Sequence, residues 1–556
     1  MSRGLVKIFI ILSIINANVN QAVADAKVER VILLADRNSC VSGDTVWFST
    51  TLITDAESGY SNIIHVQLDG PGNRHITKSI IKTEGKSGAG YLIVPDSVST
   101  GTYYLKAFSN IQKTQTGAAI VQTPLAVYNR FDENIESIVS PTYSSDEISG
   151  TSRNLFEINP GQTQYSTREE ISFEFRIPDS LKNSLAALHV SVRLYDPFSD
   201  NIKQDNKYKS PALQTAGKVF QEVDGIIISG IITDAVTGLP AGGATVLLSI
   251  SDSIPYFDFY FSDPDGRFYF YLKEMKGYAS LVLQAVPQEG RTFNIQLSEN
   301  YIELEREPET HHKMLAFGQI EFARQLIDAS RFEKYFYLAP LLAERRFSRP
   351  QDFRHSFYGK PSSTIFTRDY IDLPDFREIS KELLMFSKYR ERKDTVFIKI
   401  LNSDSRHYFT KEPLKLLDGI PVFDVSLFSD KSSYDIDRID IVAEEKYYGD
   451  MIFNGIIAVY SPKPDLSWVD NNSRLFRFDF NTIQIPAEGN TAPITGTSGH
   501  LPDFRQVFLW EKVDLQNPGL KQSFRVGDRK GDIIIEISGI KKNGGLIRSN
   551  RIIKVK

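Results

Sequence analysis

The sequence predicts a mainly β chain: a string of two-layer antiparallel sandwiches, joined by one short helical insert and one small α+β unit. Three observations carry this reading. Short strand-like runs recur with Gly, Pro, Asp, Asn and Ser turns between them, as in Thr45-Val46-Trp47-Phe48 after Ser42-Gly43-Asp44. The chain holds 36 Phe and 25 Tyr against 5 Met, and aromatic rings suit a pleated surface better than a helix. A helical period dominates in one long stretch, where Phe317, Ile320, Phe322, Ala323, Leu326 and Ile327 fall on one face.

The 556 residues allow about three to five domains. With 41% hydrophobic and 24% charged residues the composition is that of folded chains. A net charge of −5 without a basic cluster argues against a nucleic-acid partner. Residues 1–24 read as an export signal: Arg3 and Lys7, an apolar run from Ile8 to Ile15, then Ala22-Val23-Ala24 before Asp25. That run is too short to span a membrane, which takes about 20 residues. Its removal moves the net charge from −5 to −7. Cys40 is the only cysteine, so an exported form has no internal disulfide. It reads as a small buried hydrophobe.

Residues 25–128 alternate strands and turns, which implies the first antiparallel sandwich. Ala35-Asp36-Arg37, Ser42-Gly43-Asp44-Thr45-Val46-Trp47-Phe48, and Leu92-Ile93-Val94-Pro95-Asp96 leading to Gly101-Thr102-Tyr103 make this segment resemble the macroglobulin (MG2-type) sandwiches of bacterial α2-macroglobulin-like proteins. That family usually has Tyr where Cys40 stands. Residues 129–150, rich in Ser, Asn, Asp and Glu, read as a linker. Residues 151–200, extending to about 222, repeat the pattern and are expected to form a second macroglobulin-like sandwich, with 197–219 a polar loop. Residues 223–300 resemble a carboxypeptidase-regulatory-like sandwich, and Asp263-Pro264-Asp265-Gly266 supplies a tight turn. The helical segment covers 308–350, and 376–388 reads as a second short helix. Residues 500–556 read as a separate C-terminal macroglobulin-like sandwich.

Residues 360–465 carry the sharpest motif set. Asp418-Gly419 before Ile420-Pro421 fits a tight turn between strands. Ile439 is an apolar anchor beside Ile436 and Ile441, Tyr448-Gly449 follows, and Asn454-Gly455 permits a positive φ before a buried strand. This order is similar to the plug domain of TonB-dependent outer-membrane receptors. A receptor barrel has 22 strands of about 9–11 residues each. The expectation is therefore a plug-like unit lacking the barrel.

The chemistry such relatives would suggest is not written in the motifs. No histidine is followed by Glu three residues on, so a zinc-peptidase pair is missing. His311-His312 are helix neighbours about 100° apart and do not chelate one ion. No Gly-Cys-Gly-Glu-Gln thioester sequence, Gly-x-Ser-x-Gly elbow or phosphate loop is present. Asp263, Asp265 and Gly266 hint at a calcium loop but fit turn chemistry better. Glu444-Glu445 read as solvated surface.

The expected protein is thus not an enzyme and has no catalytic, cofactor-binding or metal residues and no cofactor. It is an exported interaction or assembly protein of the periplasm or outer membrane of a Gram-negative bacterium. The expected partner is an envelope protein, such as an outer-membrane barrel met by the plug-like unit; no nucleic acid and no transmembrane span of its own are expected. One alternative is peptide or glycan binding on Tyr256, Phe257, Phe259 and Tyr260, against which stands a plain core strand. The other is an unrecognised hydrolase.

Overall fold

The computed structural model describes residues 28–114, 120–132, 155–199, 220–251, 255–298, 301, 317–336, 356–392, 395–429, 431–463, 466–470, 474–486, 501–516 and 521–556. The expected export signal, most of the linker and polar loop, and His311-His312 lie outside the described residues. The fold is mainly β, and the sandwiches are nested: two open, are interrupted, and close again later in the chain.

The first sandwich is built from β1 (Arg30–Ala35), β2 (Ser39–Val41), β3 (Thr45–Ile53), β4 (Ile63–Asp69), β5 (His75–Lys82), β6 (Ser87–Ile93), β7 (Gly101–Phe108) and β8 (Gln122–Tyr128). Its sheets run β1-β3-β6 and β2-β8-β7-β4-β5. Their facing side chains, among them Val31, Leu33, Phe48, Val66, Leu105 and Val127, form one core. Cys40 lies in that core, fully buried, and burial pushes its thiol well above the usual range. The short helix α1 (Asn110–Thr114) follows β7.

β9 (Glu157–Asn159), β10 (Gln164–Tyr165), β11 (Glu170–Arg176), α2 (Asp179–Lys182) and β12 (Leu185–Leu194) open a second sandwich without completing it. The chain then builds a third from β13 (Gly225–Asp234), β14 (Thr245–Ile250), β15 (Tyr256–Phe261), β16 (Arg267–Lys273), β17 (Tyr278–Ala285) and β18 (Phe293–Leu297). After the helix α3 (Phe317–Phe336) comes the expected plug-like region: β19 (Ser363–Phe366), α4 (Phe376–Glu382), β20 (Ser387–Arg392), β21 (Thr395–Ile400), β22 (Leu414–Leu417), β23 (Ile420–Pro421), α5 (Ser426–Ser429), β24 (Arg438–Tyr448), β25 (Met451–Tyr460) and α6 (Ser467–Asp470). β26 (Leu475–Asn481) returns to the third sandwich and pairs with β17, giving sheets β16-β13-β18 and β15-β14-β17-β26. β27 (Val507–Lys512), β28 (Lys521–Arg525), β29 (Gly531–Lys541) and β30 (Leu546–Val555) then complete the second.

This corrects the expectation of two separate sandwiches at 151–200 and 500–556. β12 lies between β27 and β29 in the sheet β10-β30-β29-β12-β27, and β11 lies between β28 and β9. The core joins Phe173, Leu188 and Val190 to Phe508, Ile535 and Ile537. The reason is area: neither half has enough strands to cover its own apolar face, whereas three strands on five do.

Contacts divide the chain into two compact units, Met1–Asp224 with Asn300–Arg345 and Ile483–Lys556, and Gly225–Glu299 with Arg346–Thr482. In the first unit the two sandwiches touch through Ile32, Leu34 and Val121 against Ala187 and Ile540. Ser49 Oγ meets His189 Nε2 at 3.1 Å, and Gln506 Nε2 donates to the Ser39 carbonyl at 2.8 Å. Burial holds the His189 imidazole down to about 4, so it is neutral there at pH 7.

Helix α3 carries the period read at Ile320 to Ile327, and the Phe317 side chain lies outside the described residues. Ile320, Ala323, Leu326 and Ile327 pack on Val41 and Tyr128. Its last two turns also make polar contacts: Ser330 Oγ donates to Asp44 at 2.5 Å, and Lys334 Nζ lies 3.3 Å from the same carboxylate and donates to the Ser42 carbonyl at 2.9 Å. Glu333 faces this cluster. Burial, helped by the charges of Asp44 and Asp503 and opposed by Arg37 and Arg505, raises its carboxyl to about 7. A carboxyl raised on folding favours the folded state at low pH, and that contribution fades as pH climbs through the folded value. Unit stability is therefore expected to fall by roughly 2–3 kcal/mol between about pH 4.5 and 7.5 on account of this group. Glu333→Gln removes that slope: chemical denaturation is expected to find the variant equal to wild type at about pH 4 and more stable at about pH 8.

Among the described residues no helix is long and apolar enough to cross a membrane, which says nothing of strands.

Candidate interaction surface

The five-stranded sheet β19-β24-β25-β22-β23 is the frame of this site. One face packs Ile439, Ile441, Ile457 and Val459 under α4 and the β20–β21 hairpin. The other face packs Leu416, Val442, Ile456 and Ala458 against Leu247 and Phe257 of the third sandwich. α4 starts where Asp375 accepts from the Glu378 amide at 2.9 Å, which satisfies one free donor of the first turn. It ends at Glu382, and β20 takes up the rest of the stretch expected to be helical to 388.

The motif residues are fold devices. Asp418 and Gly419, at φ 51° and 83°, are the two positive-φ residues of the β22–β23 turn. That geometry matches the twist of a two-residue hairpin loop. Asp418 also accepts from the Ser461 amide and hydroxyl, both at 2.8 Å, tying the turn to the end of β25. The Pro421 carbonyl accepts from Gln284 Nε2 at 3.0 Å. Ile439 is fully buried between Ile365 and Val459. Gly449 opens the two-residue loop between Tyr448 and Met451 with φ 55°. The Tyr448 hydroxyl donates to the Phe257 carbonyl at 2.9 Å, and burial raises its phenol to about 12. Gly455, at φ 80°, sits where a Cβ would lie 2.9 Å from Ile400, and Asn454 precedes it opposite Glu445. Of these eight, only Gly449 is exposed.

Three exposed apolar groups stand at the end of the sheet opposite the Gly449 loop, while Tyr447 and Ile452 are exposed beside that loop. Tyr370, Ile371 and Tyr434 are 51%, 79% and 73% exposed. They stand on two loops, 367–375 and 431–437, that clamp each other. Leu373 N donates to Ser433 Oγ and Ser433 N to the Leu373 carbonyl, both at 3.0 Å. Thr367 Oγ1 donates to the Ser433 carbonyl at 3.0 Å, and the Tyr434 hydroxyl donates to Asp372. Asp435 accepts from the Ser432 amide and hydroxyl, which hold its carboxyl below the usual range. Arg368, Asp369 and Asp437 form a charged rim. The tip thus presents rigid aromatic and aliphatic groups ringed by charge, the composition of interface anchors. Sequence reasoning missed it. The available signal was apolar residues inside a turn-rich run, Thr367-Arg368-Asp369-Tyr370-Ile371-Asp372.

Beside the tip, Asp440 is buried and accepts from the hydroxyls of Tyr358 at 3.0 Å and Thr364 at 2.8 Å. Arg438 lies 3.4 Å away over the Tyr460 ring, and the two phenol oxygens of Tyr358 and Tyr460 are 2.5 Å apart. Burial pushes both phenols up, so they donate rather than ionise. The cluster ties the turn at 356–360, which precedes β19, to the sheet.

Other candidates resolve into structure. Tyr256 and Phe257 are 8% and 1% exposed, and Phe257 stacks on Phe357 at 4.6 Å; they are core residues rather than an open stacking platform. Asp263 Oδ1 accepts from the amides of Asp265 at 3.0 Å and Arg267 at 2.8 Å, with Gly266 at φ 74°. Those bonds make it a turn carboxylate. Glu444 and Glu445 are exposed, as expected.

No family model matches the chain, and no curated protein matches it. Among solved structures, it is similar to Salmonella α2-macroglobulin reacted with methylamine, at 9% identity and TM-score 0.22 over 95% of this chain and 39% of that one. It is also similar to Escherichia coli α2-macroglobulin activated by porcine elastase, at 9% identity and TM-score 0.23 over 95% of this chain and 44% of that one. A third is a tetra-tandem repeat from the extending region of a large adhesion protein, at 9% identity and TM-score 0.14 over 95% and 99%. The chain spans less than half the length of those macroglobulins. At these scores no residue role passes to this chain, and its fold class rests on the strand pairings above.

Proposed function

We propose that this chain is a non-catalytic interaction or assembly protein of a Gram-negative cell envelope, and that its plug-like region docks on a partner, an outer-membrane β-barrel protein, through the Tyr370–Ile371–Tyr434 tip. The observation behind this reading is that apolar side chains on well-bonded loops stand in solvent at one end of a sheet whose two faces are covered. Fixed loops lose little freedom on binding, which favours affinity. The export signal and the plug resemblance in the sequence support the envelope setting. Cross-linking and copurification from native envelopes test it. A barrel protein is expected to be recovered with wild type and lost, by tenfold or more, with Ile371→Asp/Tyr434→Ala. Equal recovery with the variant, or no envelope partner at all, contradicts the proposal.

A further inference from the structure

The third sandwich ends in an edge strand that is complementary to itself. β26 pairs with β17 on one side and with no strand on the other among the described residues. The Thr482 amide donates to the Gly277 carbonyl, and antiparallel pairing alternates. Hence the backbone groups of Phe476, Phe478 and Phe480 bond to β17. Those of Leu475, Arg477, Asp479 and Asn481 point to the opposite side, where no strand pairs among the described residues. Along one face runs a ladder of rings, Phe476, Phe478 and Phe480, spaced 5.7 and 6.2 Å apart. Phe476 is 39% exposed. On the other face Arg477 and Asp479 are exposed; Arg477 Nε donates to Ser280 Oγ at 2.8 Å, and Tyr278 bonds to Asp479.

We infer that two copies of this chain associate by antiparallel pairing of β26 with its own counterpart, about a two-fold axis through Phe478. The register follows from three independent requirements. Outward-pointing residues must meet outward-pointing residues, which permits an axis only at alternate centres. An axis at Arg477 or Asp479 would set like charges opposite each other, which is unfavourable. An axis at Phe478 sets Arg477 opposite Asp479 of the second copy and Asp479 opposite its Arg477. It also sets Phe476 against Phe480 and Phe478 against itself, so the ring ladder continues across the junction. The strand is thus self-complementary in backbone, charge and apolar face at a single register, as an isologous interface requires. A long open edge is otherwise a template for irregular pairing, and a register-specific partner resolves that hazard.

The inference does not depend on the envelope proposal, because it concerns the other copy of the chain and not a barrel. Sedimentation of the full chain across a concentration series is the first test, with a monomer–dimer equilibrium expected. Arg477→Asp and Asp479→Arg each place like charges opposite one another and are expected to weaken dimerisation roughly tenfold or more. The double variant Arg477→Asp/Asp479→Arg restores opposite charges and is expected to recover it. Register is read separately by oxidation. Phe478→Cys sits opposite itself at a separation a disulfide can bridge, so it should form a covalent dimer. Phe476→Cys faces Phe480 and should not. Cys40 is buried and does not interfere. A monomer at every concentration overturns the inference. So does a dimer indifferent to both single charge changes, or equal cross-linking at 476 and 478. Should the cysteine variants misfold, the charge exchange alone still decides.

Discussion

Lys106→Met is expected to lower the stability of the first sandwich by about 3–5 kcal/mol. Lys106 and Asp69 are each 1% exposed, on neighbouring strands β7 and β4, with Nζ and Oδ2 2.6 Å apart. Lys106 also donates to Asn73 Oδ1 at 3.3 Å, and Gln67 Nε2 donates to the same Asp69 oxygen at 2.6 Å. A buried pair of this kind adds little over a well-packed apolar pair, because desolvation opposes attraction. Removing one partner is different: the carboxylate stays buried with the Gln67 amide and with His75 Nδ1 at 3.4 Å, but without the ammonium that sits 2.6 Å away. The paired variant Lys106→Met/Asp69→Leu should therefore lose much less than Lys106→Met alone. Urea denaturation of the three proteins measures this, and a single variant as stable as wild type would show that water reaches Asp69.

Gly419→Ala is expected to cost the second unit about 3 kcal/mol or more, while Gly238→Ala costs about 1 kcal/mol. Both glycines have positive φ, 83° and 69°, so both carry the left-handed penalty of a side chain. Their surroundings differ. A Cβ at Gly238 meets nothing within 4 Å, whereas at Gly419 it would lie 2.1 Å from Pro255 Cβ. The difference between the variants is then the cost of moving the two segments apart. Pro255→Gly combined with Gly419→Ala should recover part of it, a coupling that a double-mutant cycle reads directly. Equal losses at 238 and 419 would mean that the turn relaxes freely.

These two sites mark what the sequence could tell. The Asp418-Gly419 turn, the Asp263–Gly266 turn and helix α3 were legible because each is a local pattern whose reason lies within a few residues. The fold class was legible for the same reason, strand by strand. The closing of the second sandwich was not. Arg193 and Glu536 form an ion pair 3.2 Å long across 343 residues of sequence, and no periodicity spans such a gap. β26 was missed too, although Leu475-Phe476-Arg477-Phe478-Asp479-Phe480 alternates plainly. The tip at Tyr370, Ile371 and Tyr434 was hidden because exposure is a tertiary property: an apolar residue in a loop reads the same whether it is covered or not.

The nesting of the sandwiches is tested most directly by hydrogen exchange at Leu185–Leu194. This strand lies between β27 and β29, so its amides should be among the slowest in the full chain. In a chain ending at residue 500 both neighbours are gone, and the same amides are expected to exchange at nearly the rate of an unfolded peptide, with the first sandwich still protected. If β12 kept its protection without residues 501–556, the two segments would be separate folds and the nested arrangement would be wrong.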